Sequence, residues 1–326
     1  MRLPRPFFKL PLTVDLERLR VEVAALAPHA WAPHPNRIEG NTSVRLISSQ
    51  GEENDDVHGP MAPTAHLRQM PYVRQLLADF GVVWSRSRLM QLAPHAQVPA
   101  HADVNFHWFN RVRVHIPVVT NPQVLFYCGD DVVHMAAGEV WLFDNWRMHR
   151  VENQSAEHRI HLVADTTGSA SFWRFVAESL RAGAQVRQHL FDASRDAEVR
   201  TERVPPEPVL HPAEIEMVVQ DVRRELAPKV DDEKGRAHAA NFGHMLGEFA
   251  QDWRQVHSLH GQDPAGWPSF LSLRDGLRKV CATQARSLIA RTNGIDMLTI
   301  VEGRLLRHVL HLPVSQDPAS AGSREP

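Results

Sequence analysis

The chain has 326 residues, of which 43% are hydrophobic and 23% charged, with a formal net charge of −2. That length admits one large domain or two smaller ones, and the composition is that of a soluble globular protein. The near-neutral balance offers no general field for nucleic acid or an anionic membrane. No stretch approaches the roughly 18 uninterrupted apolar residues of a membrane span.

The N-terminal residues, with Pro4, Pro6 and Pro11, are expected to be extended. Thr13 is expected to cap a helix running to about Leu26, with Leu16, Leu19, Val23 and Leu26 at helical spacing. Residues 37 to 50 read as a strand around Val44, Leu46 and Ile47. Gly51 to Thr64 is acidic and turn-rich and is expected to be a solvated loop, with a lid over the site as the alternative. Leu67 to Phe80 reads as helix, with Pro71 in its first turn and Gly81 as its stop. Val82 to Leu92 reads as strand, and Pro94 to Pro99 as the turn that delivers the chain to His101. Asn121-Pro122 and Gly129-Asp130-Asp131 are turns around a short strand from Val124 to Tyr127, which predicts a hairpin. Ser171 to Arg181 is expected to be helical.

Composition shifts near residue 200, and Pro205, Pro206 and Pro208 mark a boundary. From 205 to 312 only helices are read: Ala213 to Leu226, His238 to Val256, Pro268 to Ile289 and Met297 to Leu312. Residues 313 to 326 are small and polar and are expected to be disordered. Two distant cysteines, Cys128 and Cys281, make neither a disulfide framework nor a thiolate metal motif. With no secretory pattern at the N-terminus, the expected location is the cytoplasm.

The chemistry concentrates between Arg88 and Asp165. His101-x-Asp103 on extended chain puts both side chains on one face, because strand side chains alternate. A second histidine would complete a 2-His-1-carboxylate face that leaves coordination positions open, and His149 is the best candidate. His107 competes with His101, while His95, His134 and His158 read as loop or surface residues. In Arg111-Val-Arg113-Val-His115 and in Arg159-Ile-His161 the polar residues share a face. If the strands close into a small barrel, that face lines a cavity where arginine would suit a dicarboxylate. Otherwise these are two amphipathic strands with solvated arginines. Asp144 and Asn145 read either as a turn pair or as groups that orient His149. Phe106, Trp108 and Phe109 read as core, with a pocket wall as the alternative.

His101-x-Asp103, Arg113-Val-His115-Ile-Pro117, Gly138-Glu-Val-Trp-Leu-Phe-Asp144, His149 and Arg159-Ile-His161-Leu-Val-x-Asp165 occur here in an order and spacing that resemble the aspartyl/asparaginyl β-hydroxylase family of iron(II)- and 2-oxoglutarate-dependent dioxygenases. The resemblance covers about Arg88 to Gly168. It implies an α+β protein built on a double-stranded β-helix, the jelly-roll or cupin-like barrel, in residues 1–200 with its core at 82–168. Flanking helices and the helical domain at 205–312 complete the expected architecture. It implies His101, Asp103 and His149 as iron ligands and Arg159 as partner of the distal carboxylate of 2-oxoglutarate. Arg113 and His115 would lie near the chelating end of that molecule. Animal peptide-hydroxylating members lack the carboxylate ligand, so Asp103 makes this chain more similar to bacterial members.

The implied reaction takes Fe(II), 2-oxoglutarate and O2 and hydroxylates an amino acid, free or peptidyl, Asp/Asn-like or Pro-like, releasing succinate and CO2. The alternatives are the same chemistry on a lipid or other small molecule, and a barrel that binds a metal or carboxylate without catalysis. The expected partners are an amino-acid or peptide substrate and a second copy held through the helical domain, with neither nucleic acid nor membrane.

Overall fold

The computed structural model describes residues 1–35, 38–57 and 59–312. The tail expected to be disordered, 313–326, lies outside them. The described chain forms two compact units. One comprises Met1–Ala102 and Asn110–Pro205, the other Asp103–Phe109 and the chain from Pro206 onward.

The first unit is built from strands β1 (Phe7–Val14), β2 (Ala32–Pro33), β3 (Asn41–Ser49), β4 (Met61–Pro63), β5 (Trp84–Leu92), β6 (Gln97–His101), β7 (Val112–Val119), β8 (Val124–Cys128), β9 (Asp131–Val133), β10 (Glu139–Phe143), β11 (His149–Asn153), β12 (Arg159–Thr166) and β13 (Arg187–His189). Its helices are α1 (Leu16–Ala24), α2 (Ala65–Arg68), α3 (Pro71–Asp79) and α4 (Ala170–Glu178). Among the described residues, the large sheet runs β13-β1-β10-β7-β12-β5-β3-β2, with β4 also on β3, and the small sheet runs β6-β11-β8-β9. Every named pairing is antiparallel except β1 with β13. Two facing antiparallel sheets whose strands alternate along the chain make this a double-stranded β-helix.

Period-two alternation assigns the two faces of the large sheet to different chemistry. Val112, Val114, Ile116 and Val118 of β7, with Leu162 and Ala164 of β12, join Leu19, Leu76 and Phe172 of the helices in one buried cluster. That is the outer core, where helices cover the sheet. The opposite face holds Arg113, His115, Arg159 and His161 and turns inward, with Phe126 and Val151 of the small sheet and Phe143 of the large sheet in a separate apolar cluster. The arginine and histidine face therefore lines the barrel and is not solvated: Arg159, His161 and His115 are all buried.

Some local expectations change. The cap of α1 is Asp15, whose carboxylate accepts from Arg18 N at 3.0 Å. Thr13 belongs to β1, and the residue immediately before the first helical position has the better geometry for an N-cap. Only Pro94 to Ala96 turns, since Gln97 already pairs with Glu152 of β11. The acidic loop is tied down through Asp55, which receives hydrogen bonds from Arg45 and an ion pair from Arg88. A charge run looks solvated from sequence, but here buried cations sit beneath it.

The second unit contains α5 (Pro212–Glu225), α6 (Glu233–His260), α7 (Trp267–Gln284) and α8 (Met297–Val301). The stripe Phe242, Leu246, Phe249 and Trp253 is buried, and the Trp253 and Phe270 rings pack at a tilt with centroids 4.7 Å apart. It is not purely helical. β14 (Leu226–Pro228) and β15 (Leu288–Ala290) pair antiparallel. The last helix is also shorter than expected, because after Val301 the chain widens into a π-turn over Glu302–Leu306. The segment Asp103–Phe109 belongs to this unit: Phe106 stacks on His308 at 5.3 Å, and Arg304 Nε donates to the Val104 carbonyl at 3.1 Å.

Candidate metal centre and carboxylate pocket

β6 and β11 pair so that His101 faces His149 across the ladder. Their rings lie 4.2 Å apart between centroids. Asp103 follows two residues after His101, and one ligand atom from each of the three lies within 4.8 Å of the others. His107 is not in this group; it is buried in the short 3-10 turn Phe106–Trp108.

Both histidines are set up the same way. His101 Nδ1 donates to the Pro99 carbonyl at 2.8 Å, and His149 Nδ1 donates to the Arg147 carbonyl at 2.9 Å. A proton on Nδ1 leaves Nε2 as the lone-pair nitrogen, the form a metal needs. His149 is thus oriented by a backbone carbonyl and not directly by Asp144 or Asn145. Asp144 acts one step further out: its carboxylate accepts from Arg147 Nε at 3.1 Å and from Trp146 N at 3.2 Å. Burial raises the Asp144 pKa above its ordinary value.

Deeper in the barrel lies a second cluster. Arg159 Nη2 donates to His161 Nδ1 at 2.7 Å, and His115 Nδ1 is 3.4 Å from the same atom. A guanidinium only donates, so His161 carries its proton on Nε2. Burial, followed by the neighbouring Arg159 charge, holds both imidazoles well below their ordinary pKa, so both are neutral. Burial pulls the Arg159 guanidinium down to about 9, which still leaves it charged at neutral pH. Arg159 Nε, His115 Nε2 and His161 Nε2 are buried without a protein partner. Buried polar atoms are ordinarily satisfied, and an incoming carboxylate would satisfy the two donors, Arg159 Nε and His161 Nε2. Phe126 and Phe143 wall the space, with centroids 5.6 and 5.2 Å from that of His115.

Arg113 reaches this region already engaged. It grips Asp165 through Nε to Oδ1 at 2.6 Å and Nη2 to Oδ2 at 2.9 Å. Sequence reasoning missed three further members of the inner polar face. Arg86, Arg88 and Arg45 converge on Asp55 and Asp165 from β5 and β3. The signal was present, since Arg86 and Arg88 alternate along their strand.

A double-stranded β-helix holding a His-x-Asp…His triad beside a buried arginine defines the class of protein. Residues 49–168 match the family described as aspartyl/asparaginyl beta-hydroxylase, which bears out the resemblance carried by Arg88 to Gly168. A curated relative, L-proline cis-3-hydroxylase 1 from Streptomyces sp, is 26% identical over 176 residues, which is 49% of this chain. The match spans only 60% of that relative's length. Two solved structures show distant likeness. An oxidoreductase of the 2OG-Fe(II) oxygenase family from Burkholderia pseudomallei has 15% identity over 48% of this chain and 80% of its own, with a TM-score of 0.35. A Pseudomonas putida prolyl-4-hydroxylase has 12% identity over 51% of this chain and 95% of its own, also at 0.35. No helix among the described residues is long and apolar enough to cross a membrane.

Proposed function

We propose that the protein is an iron(II)- and 2-oxoglutarate-dependent dioxygenase that hydroxylates an amino acid. One observation carries this reading: a three-ligand cluster with both histidines in the metal-binding tautomer lies in the same barrel as a buried Arg159–His161–His115 set with unfilled polar atoms. His101, Asp103 and His149 would hold the iron, a ligand set suited to ferrous oxygenases. Bound there with 2-oxoglutarate and O2, the iron supplies the oxidising power that converts C–H to C–OH while the co-substrate leaves as succinate and CO2. Arg159 binds the distal carboxylate and stays charged. His161, locked by Arg159, offers Nε2–H as a neutral donor. His115 and Arg113 serve the chelating end, with Arg113 held in place by Asp165. The phenylalanine walls exclude water and thereby strengthen each of these contacts. The amino-acid substrate class is supported by the relative named as a proline hydroxylase.

The test is succinate formation by protein loaded anaerobically with Fe(II), then given 2-oxoglutarate and O2 with a panel of amino acids and peptides. Turnover stimulated by a panel member and lost in His149→Ala is the expected result. Succinate formation that survives both His101→Ala and His149→Ala would sink the proposal.

A further inference from the structure

We propose that two copies of this chain pair edge to edge through β13, antiparallel about a two-fold axis at Gln188, so that their large sheets join into one.

Among the described residues, β13 ends the large sheet and pairs with β1 alone. Leu12, Thr13 and Val14 lie beside Arg187, Gln188 and His189 in parallel register. The His189 carbonyl accepts from Asp15 N at 3.0 Å, and the Arg187 carbonyl accepts from Thr13 Oγ1 at 3.4 Å. Those two residues therefore turn their backbone groups towards β1. Alternation turns the N–H and C=O of the exposed Gln188 the other way, out of the sheet edge. Such an edge accepts another strand unless a proline, a bulge or a covering element blocks it, and 183 to 191 contain no proline.

The residues around Gln188 have the same chemistry in both directions. Val186-Arg187-Gln188-His189-Leu190 places an apolar residue at each end, a basic one inside each, and the amide at the centre. An antiparallel pair centred on Gln188 sets Val186 across from the partner's Leu190, and Leu190 across from the partner's Val186. These two side chains are 63% and 61% exposed, and alternation puts them on one face with Gln188. Singly exposed hydrophobics need no explanation. Two that flank one edge strand, at positions a two-fold brings together, fit a second copy of the chain.

The opposite face suits the same partner. Arg187 and His189 border a groove of about 380 Å³ that Leu12, Phe80 and Phe175 also line. Both signs of charge stand there: Glu178 accepts from Arg187 Nη2 at 3.3 Å, and Asp79 Oδ2 lies 2.9 Å from His189 Nε2. The two-fold sets Arg187 across from the partner's His189 and so towards the partner's Asp79. A self-complementary surface needs both signs on one patch, whereas a partner of a single sign would meet like charge here. The pairing surface belongs to the first unit and not to the helical domain, where the sequence led us to expect a second copy.

Sedimentation velocity of the full chain across a concentration series tests the pairing. A short edge makes a weak dimer, so half of the chain should be dimeric at roughly 10 μM. Gln188→Pro removes the outward N–H and spares the bonds of Arg187 and His189 to β1, a change that edge strands tolerate. It should weaken dimerisation about 10-fold or more. Val186→Lys alone and Leu190→Glu alone should each do the same, since either change spoils two cross-strand pairs. Val186→Lys combined with Leu190→Glu in one chain should return dimerisation to within about 3-fold of wild type, because the two altered positions then face each other with opposite charge. That rescue is specific to this register. Wild-type chain still monomeric at about 100 μM, a dimer that persists in both Gln188→Pro and Val186→Lys, or a double variant no more dimeric than the single ones would overturn the pairing.

Discussion

Arg113 and Asp165 form an enclosed ion pair of the barrel, with Asp165 fully buried and Arg113 21% exposed by side chain. Arg113→Met removes both hydrogen bonds and leaves a carboxylate inside with Arg86 beside it. The expected loss is about 3 kcal/mol in chemical denaturation, the low end for breaking a buried pair, because Arg86 compensates in part. Adding Asp165→Asn should recover some of that loss, and a double variant no more stable than Arg113→Met would refute the buried-charge explanation. Single residues differ in how legible they were. The grouping of His101, Asp103 and His149 was legible from the order and spacing of the whole family pattern, whereas strand alternation alone does not place Asp103, which lies beyond the end of β6. The environment of Arg113 was not legible, because its partner comes from a strand about fifty positions later. Arg88 was legible as an alternating residue but not as a buried one, since burial depends on the sheet closing over it.

At the scale of elements, one helix is started by another. The N-terminus of α3 presents the N–H groups of Tyr72 and Val73 to Glu22 of α1, whose carboxylate accepts them at 2.7 and 3.1 Å. The sequence reads as one helix from Leu67 to Phe80, but the chain breaks after Arg68, and α3 starts again with Pro71 at its first position. Its cap was not readable, because a capping side chain is normally sought just upstream and this one lies about fifty residues away. Glu22→Ala should cost about 1–2 kcal/mol in a urea titration at pH 7, as for loss of a helix cap. The pH dependence follows from burial, which raises the Glu22 pKa above its ordinary 4.5 against the pull of the two N–H groups and Arg18. A raised pKa means the folded state holds the proton more tightly. Its contribution is full below the unfolded value and is lost as pH rises through the folded one. Glu22→Gln should therefore flatten the fall in stability between about pH 4.5 and neutrality relative to wild type. An unchanged slope would show that other groups set it.

On the scale of the whole molecule, the sequence suggested a barrel followed by helices, but the chain does not divide so simply. Seven residues beginning at Asp103 pack within the helical unit, about a hundred positions before its other elements begin. Local pattern could not show this, since Phe106 and Trp108 look the same whether they line a pocket or fill a distant core. The contact that fixes the segment is Arg304, which is 1% exposed and carried on the π-turn. Its Nε donates to the Val104 carbonyl at 3.1 Å and its Nη1 to Asp221 at 2.7 Å, while its guanidinium lies over the Phe109 ring at 5.7 Å. Val104 directly follows Asp103, so a helix near the C-terminus sets the backbone next to a metal-ligand candidate. Arg304→Met should weaken Mn(II) binding roughly 10- to 100-fold, as happens when groups that orient metal ligands are lost. Asp221→Asn keeps the bond to Val104 and should lower the stability of the helical unit more than it lowers metal affinity. Titration of Mn(II) into both variants separates the two effects. Metal affinity unchanged in Arg304→Met would mean that Asp103 either is held by other means or is not a ligand, and Asp103→Ala in the same titration distinguishes these outcomes.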